Sequence, residues 1–446
     1  MKKYESYKDS GVDWIGDIPK DWNISKLKFY ANVYTGNSLN DTQKSDFESD
    51  DLDHLAYVAS KDIDVNTTNV NYENGTRVPR EGFNLKVASA HSSLLCIEGG
   101  SAGRKMAFLN QDVCFVNKLA CIDLENKWLS KYVFYYLKSD LFQKQFFEAM
   151  AGLIGGVSIT NLRNFQLPIP PNFDAIEIAC YLDHQTAIID ELIERKEKLV
   201  LALEEKRKAV INEAVTKGLN PNVRMKDSGI DWIGEIPEHW ESVPLRYMTS
   251  KVGSGVTPRG GADVYVEEGV IFIRSQNVHF EGLFLDDVVK IDEETHQKME
   301  NTKVLTNDVL LNITGASIGR CCFVELNGEM NVNQHVCILR CNDKLEPKYL
   351  NLLLQSEIGQ GQIKLGITGG NREGLNFEAI KNFKFPVPEI SEQNLILNEL
   401  EDLLEIVFQT KNKIDIQIKK LQEYRQSLIS EVVTGKVDVR DWEINN

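Results

Sequence analysis

The sequence predicts an α+β protein: two β-rich mixed domains separated by a long antiparallel helical coiled coil, the whole forming a pseudo-twofold tandem repeat. Three observations carry this. Residues 7–22 and 225–240 match at 11 of 16 positions, an offset of 218. The same offset lays "NFQLPIP" from Asn164 over "NFKFPVP" from Asn382, and the "EAVT" ending at Thr216 over the "EVVT" ending at Thr434. Each proline-rich exit is followed by a long stretch with apolar residues at alternating spacings of three and four. Self-similarity at one long period marks a duplicated unit, and the 3,4 spacing marks a helix that buries one stripe.

The chain divides accordingly into a first domain over 1–173, a first helix over 174–219, a second domain over 220–389, and a second helix with its tail over 390–446. The domains end at Pro168, Pro170 and Pro171 and at Pro386 and Pro388, which break the preceding strands. Asp174 with Glu177 gives a capping-box pattern for the first helix, and Ser391 an N-cap for the second. The seam of the first helix runs through Leu182, Ile189, Ile193, Val200, Leu203 and Val210. That of the second runs through Leu400, Leu404, Val407, Ile414, Ile418, Leu421 and Leu428. A helix of some 40 residues spans about 60 Å, beyond what a small domain covers, so each is expected to cover the other. Connectivity makes the pairing antiparallel. Lys196, Arg207, Lys411 and Arg425 interrupt the seam, and polar seam residues set register.

The two halves differ most in their middles, at about 37–160 and 255–375. "LAYVASKDI" from Leu55 and "VIFIRSQNV" from Val270 read as strands. "GGSAGRKMAFL" from Gly99 and "TGASIGRCCFV" from Thr314 share an order of glycine turn, Gly-Arg and apolar strand. "VNK" at Val116 parallels "VNQ" at Val332. Neither glycine turn has the phosphate-loop pattern.

Composition narrows the function. The net charge of −16 excludes a simple DNA-coating protein. The acidity is uneven: residues 1–173 carry 19 basic and 21 acidic side chains, which leaves that region near neutral. No stretch reaches the roughly 18 apolar residues of a membrane helix, and no apolar run follows the first lysines, so a cytoplasmic protein with no membrane partner is expected. The eight cysteines are scattered, without a CxxC pair. His335, Cys337 and Cys341 lie in the apolar run "NQHVCILRC" and are read as core residues, not metal ligands. The acidic "DFESDDLD" from Asp46 is read as a solvated loop. Methyltransferase, hydrolase and metalloprotease signatures are all missing, so no catalytic residue and no metal site is assigned.

The duplicated "DSGVDWIGDIPKDW", the Gly-Arg turns, the "LPIPP" exit and the helix end "AVTKG" together resemble the specificity subunit of a type I restriction–modification system, over nearly the whole chain. One departure is that Glu392-Gln393 after the second exit has no equivalent in the first half. The resemblance implies two target-recognition domains that each read part of a split double-stranded DNA sequence. It also implies helices that act as a ruler and as the docking site for two modification (methyltransferase) subunits. Adenine methylation and ATP-driven cleavage would lie in those and in restriction (translocase/endonuclease) subunits. S-adenosylmethionine, ATP and Mg would be bound there, with no cofactor on this chain.

Base reading needs donors and acceptors, Arg for guanine and Asn or Gln for adenine. The candidates are therefore polar loop residues of the divergent middles. In the first domain these are Asn37, Ser38, Ser60, Lys61, Arg104, Lys105 and Lys118. In the second they are Thr257, Arg259, Arg274, Gln276, Arg320, Gln334, Asn371 and Arg372. Trp14 and Trp232 of the repeat are expected to be buried where domain meets helix. The competing reading is a tandem protein-binding scaffold without DNA recognition.

Overall fold

The computed structural model describes residues 2–49, 51–150, 155–230, 232–258, 264–326, 328–368 and 374–442. It resolves into two compact units. One comprises Met1–Arg195 with Gln417–Asn446, the other Lys196–Ile416. Each unit therefore holds one β-rich domain plus a segment of both long helices, α1 (Asn172–Lys217) and α2 (Ile390–Val433).

The repeated sentence in the sequence is a β-hairpin with fixed turn chemistry. In the first unit Tyr7–Asp9 pairs with Asp17–Pro19, and in the second Met225–Asp227 pairs with Glu235–Pro237. The Asp9 carboxylate accepts the Gly11 N–H at 2.8 Å, and Asp227 accepts that of Gly229 at 2.9 Å. Gly11, Gly16, Gly229 and Gly234 all have φ near +70°, where a side chain is strained. Trp14 and Trp232 lie in these turns, so Trp14 is half-buried and Trp232 is 56% exposed. This corrects the sequence expectation for Trp232, whereas Trp14 packs in part against the core that holds the helix residues Leu182 and Val432. The sealed indoles are Trp22 and Trp240, which follow the hairpins and have no exposed surface.

Each sealed indole receives the end of a long helix. In the first unit α2 stops at Gly435 (φ +71°), where a Cβ would lie 2.3 Å from Pro19 Cδ and 3.4 Å from the Trp22 ring. In the second, α1 stops at Gly218 (φ +71°), where a Cβ would lie 3.1 Å from the Trp240 ring. Left-handed glycine ends a helix by returning its N–H to the last carbonyls; here Gly218 donates to Ala214 and Lys436 to Glu431. The repeated threonines close the same turn, Thr216 Oγ1 donating to the Asn212 carbonyl and Thr434 Oγ1 to that of Ser430. The helices begin earlier than the capping pattern suggests. The Pro171 carbonyl already accepts the Ala175 N–H, and Glu389 that of Gln393, so Asp174 and Ser391 lie inside the first turns and Glu177 in the second.

The seam residues face inward. In the first unit Leu182, Ile189 and Leu428 are buried, and Ile193, Ile418 and Leu421 half-buried. In the second, Leu400, Val407 and Ile414 are buried, and Val200, Leu203, Val210 and Leu404 half-buried. Two of the interrupting cations cross to the facing helix. Arg425 pairs with Asp190 at 2.9 Å in the first unit, and Lys411 with Glu204 at 2.6 Å in the second. Those pairs, with the helix ends above, set an antiparallel register in each unit. Arg207 turns instead to its own domain and donates to Gln355. Gln393 explains the Glu-Gln departure. It is fully buried, accepts the Glu346 N–H at 2.8 Å and donates to the carbonyls of Lys344 and Pro388. Ala175, at the matching place, can do none of this.

Although their sequences diverge, the domain middles share one topology. The first has an antiparallel sheet in the order Ala31–Thr35, Leu119–Leu124, Ser93–Cys96, Met106–Phe108. Its second sheet runs Arg77–Val78, Leu55–Val58, Val113–Phe115, Val87–Ala88. The second unit repeats the first sheet as Thr249–Ser254, Val336–Cys341, Val309–Asn312, Cys321–Phe323. Its other sheet gains one strand: Tyr265–Val266, Val289–Ile291, Val270–Ile273, Met330–Val332, Lys303–Val304. In both, one parallel pair closes the second sheet, Val58 opposite Phe115 and Ile273 opposite Val332. Cys337 is buried in the strand Val336–Cys341, as the apolar run suggests, while His335 lies outside it.

One half-buried cation of the first unit titrates unusually low. Lys138 lies over Phe134, 5.2 Å from its ring centre. Burial, with the Arg425 guanidinium nearby, pulls its ammonium down to about 7. The unfolded chain keeps this proton up to the usual lysine range, so between about pH 7 and pH 10 the unfolded state binds more protons. Stability then rises with pH across that window, and the cost of the charge is fully present below it. Lys138→Met, which keeps the apolar stem, is expected to unfold at higher temperature than wild type at pH 7, the gap narrowing by pH 9. Thermal scans at both values check this; a constant gap would show that Lys138 is solvated.

Candidate nucleic-acid interface

At one edge of the paired sheets, four chain segments meet in each unit. In the first they are 36–38, 59–62, 98–105 and 116–118; in the second, 255–257, 274–277, 314–321 and 333–335. The equivalence is set by backbone bonds, not by similarity. Val116 N–H donates to Val58, and Asn333 to Ile273, each at 3.0 Å. Ile97 N–H donates to Lys118, and Ile313 to His335, each at 3.0 Å. Register thus pairs Lys118 with His335 and Asn117 with Gln334, one residue away from the alignment of "VNK" with "VNQ". Strand pairing decides this, and identical letters one position out of step misled the sequence comparison.

Each segment is held by a recurring device. Gly36 and Gly255 pass so close to the neighbouring strand that a Cβ would lie 1.8 Å from the Phe115 carbonyl oxygen and 1.7 Å from that of Val332. The next segment is capped on itself. Asp62 accepts the Ala59 N–H at 2.8 Å, and Asn277 that of Arg274 at 3.0 Å. The Gly-Arg turns match as well, Gly103 donating to Cys96 and Arg104 to Ser101, Gly319 to Asn312 and Arg320 to Ser317. A side chain of the third segment, or of the strand that leads into it, then makes a tie to the second. In the first unit Lys105 Nζ donates to the Ser60 carbonyl at 2.8 Å; in the second, Asn312 Nδ2 donates to that of Ser275 at 2.8 Å. Different residues perform one task.

These rims gather most of the candidates. In the first, Ser38, Lys61, Arg104 and Lys118 are exposed. Among the described residues no carboxylate pairs with Lys61, Arg104 or Lys118. Asn37 is committed internally, its Oδ1 accepting the Lys86 N–H at 2.8 Å, and so is Lys105. Ser60 is half-buried and serves through its carbonyl. In the second rim Thr257, Gln276, Arg320 and Gln334 are exposed. Arg274 is half-buried and donates to the Asp287 carbonyl at 2.9 Å, while Gln276 donates to the Asp287 carboxylate. Arg259, Asn371 and Arg372 lie outside the described residues. Sequence reasoning missed His335, whose rim position shows only once the strands are paired.

The two rims differ in chemistry. The first presents three unpaired cations, suited to phosphate oxygens and guanine edges. The second is less basic and presents amides and a hydroxyl, suited to mixed donor–acceptor edges.

A family model described as the type I restriction modification DNA specificity domain matches this chain twice, over residues 19–202 and 237–420. The chain belongs to the type I restriction–modification DNA specificity family. Among its relatives, the putative type I restriction enzyme MjaX specificity subunit of Methanocaldococcus jannaschii is 24% identical over 98% of both chains. The EcoBI specificity subunit of Escherichia coli is 25% identical over 76% of this chain and 71% of its own. A chain from a solved type I restriction–modification system has the same fold, with a TM-score of 0.69 over 94% of this chain and 99% of its own at 14% identity. Both copies of the specificity domain include a rim, and the family match disfavours the scaffold reading. No helix among the described residues is long and apolar enough to cross a membrane.

Proposed function

We propose that this specificity subunit reads a bipartite, asymmetric sequence in double-stranded DNA, each rim taking one half-site. One observation carries the reading: the same four-segment rim is built twice in one chain on the same backbone bonds, with different side chains at its exposed positions apart from the shared Arg104 and Arg320. Symmetric readers would see a palindrome; unlike rims see unlike half-sites. The long helices set the separation of the rims and dock two modification subunits. Adenine methylation and cleavage are performed by modification and restriction subunits in the cytoplasm, which bind S-adenosylmethionine, ATP and Mg. The Lys61, Arg104 and Lys118 cations add phosphate contacts that position the first rim.

The test is an exchange. Residues 245–385 are replaced by the corresponding domain of a specificity subunit with a different target, and modified sites are mapped across the genome of cells carrying the complete system. One half-site is expected to change while the other stays. A target altered in both halves, or in neither, would overturn the assignment of one rim to one half-site.

A further inference from the structure

The second rim contains a hydrogen-bonded chain of side chains that its counterpart, among the described residues, lacks. Thr257 donates its hydroxyl to Gln334 Oε1. Gln334 Nε2 lies 3.2 Å from His335 Nε2, and His335 Nδ1 meets Thr314 Oγ1. An amide nitrogen only donates, so His335 Nε2 accepts and Nδ1 carries the hydrogen that Thr314 receives. Three rim segments, 255–257, 333–335 and 314–321, are joined by side chains alone. The turn beneath is held separately, because Asn333, itself buried, accepts the His335 N–H at 3.1 Å. The approach of Gly255 to the Val332 carbonyl brings Thr257 within reach.

This chain uses one lone pair of Oε1 and one hydrogen of Nε2. The other lone pair and the other hydrogen remain on an exposed amide whose plane is already set. A fixed acceptor beside a fixed donor complements the one base whose major-groove edge offers a donor beside an acceptor, the N6 amino group and N7 of adenine. Guanine offers two acceptors there, cytosine a donor and thymine an acceptor with a methyl group. In the first rim the matching residues are Ser38, Asn117, Lys118 and Glu98, and no bond joins their side chains among the described residues.

We propose that Gln334 reads an adenine in the half-site of the second rim, and that His335 is a positioning residue that holds the amide in its reading orientation. The inference rests on the DNA reading given above. Ordering the amide in advance spares its rotamer entropy on binding.

The experiment uses the assembled complex with modification subunits and duplexes built on the target mapped for wild type. Each position is varied in turn through all four base pairs, and also through 7-deazaadenine, which removes N7. Wild type is expected to prefer adenine at one position of the second half-site by roughly ten- to a hundredfold, and to lose most of that preference with 7-deazaadenine. Gln334→Ala should lose this preference and keep the others. Gln334→Glu, with two acceptors, should move it toward cytosine. His335→Phe should weaken it while leaving the remaining positions alone. Retention of every preference by Gln334→Ala would overturn the assignment, as would loss at a base other than adenine or an equal loss at all positions. A wild-type complex with no preference anywhere would instead sink the DNA reading itself.

Discussion

A chain shortened by four residues in each long helix will recognise half-sites that lie one or two base pairs closer together. The expectation follows from the register described above. Asp190 pairs with Arg425 and Glu204 with Lys411, so removing 197–200 from α1 and 415–418 from α2 takes matching pieces from the two helices between their ion pairs. Four residues shorten a helix by about 6 Å and leave the seam about 40° out of phase, a mismatch an antiparallel pair absorbs by slight rewinding. DNA rises about 3.4 Å per base pair, hence the expected shift. The base identities within each half-site should stay the same. Mapping modified sites in cells carrying the shortened chain gives the answer directly, and an unchanged spacer would show that the helices do not measure distance.

Trp240→Ala will cost the second unit about 3–5 kcal/mol, the range for removing a large, fully buried aromatic side chain. The expectation exceeds that for an ordinary core residue because the indole does two jobs. It fills the core under the hairpin and supports the end of α1 at Gly218. Its loss leaves a cavity beneath a helix end whose carbonyls rely on the glycine turn. Urea titration should show the loss, and limited proteolysis should place the new cleavage sites within residues 196–416. The control is Trp232→Ala, at the exposed indole of the same repeat, expected to shift stability by less than about 1 kcal/mol. Equal effects from both would contradict the assignment of Trp240 as the buried support.

The duplication was legible because a 218-residue offset recurs in turn chemistry, and turn chemistry is written in single letters: Asp to cap, Gly for positive φ, Pro to end a strand. The seam was legible because helix periodicity is local. The shared topology of the middles was not. It depends on a parallel pair between residues that lie 57 and 59 positions apart, Tyr57 opposite Cys114 and Phe272 opposite Asn331, and no local signal selects such a partner. The same gap explains the rims. Their segments are positioned by carbonyls, and a carbonyl leaves no trace in the sequence. Lys105 and Asn312 do one job with unrelated side chains, so Lys105 looked like a DNA contact while Asn312 looked like nothing. Gly36 and Gly255 are the exception, since only the absence of a side chain permits that approach. Trp14 and Trp22 show the limit of composition. Both belong to the same conserved-looking phrase, and only the direction of the hairpin decides which one is sealed.

The core of the first unit has a consequence for synthesis. It is completed by Leu428, Ile429, Val432 and Val433 near the far end of the chain, whereas the second unit is fully translated by Ile416. On the ribosome, residues 1–195 must wait for more than 230 further residues, roughly 12–47 s at ordinary elongation rates. During that wait Ile178, Leu182 and Ile189 of α1 lack the part of their core that Leu428, Ile429, Val432 and Val433 supply. The later-made unit therefore has its whole sequence first, and the domain made earliest is the last to receive all of its core.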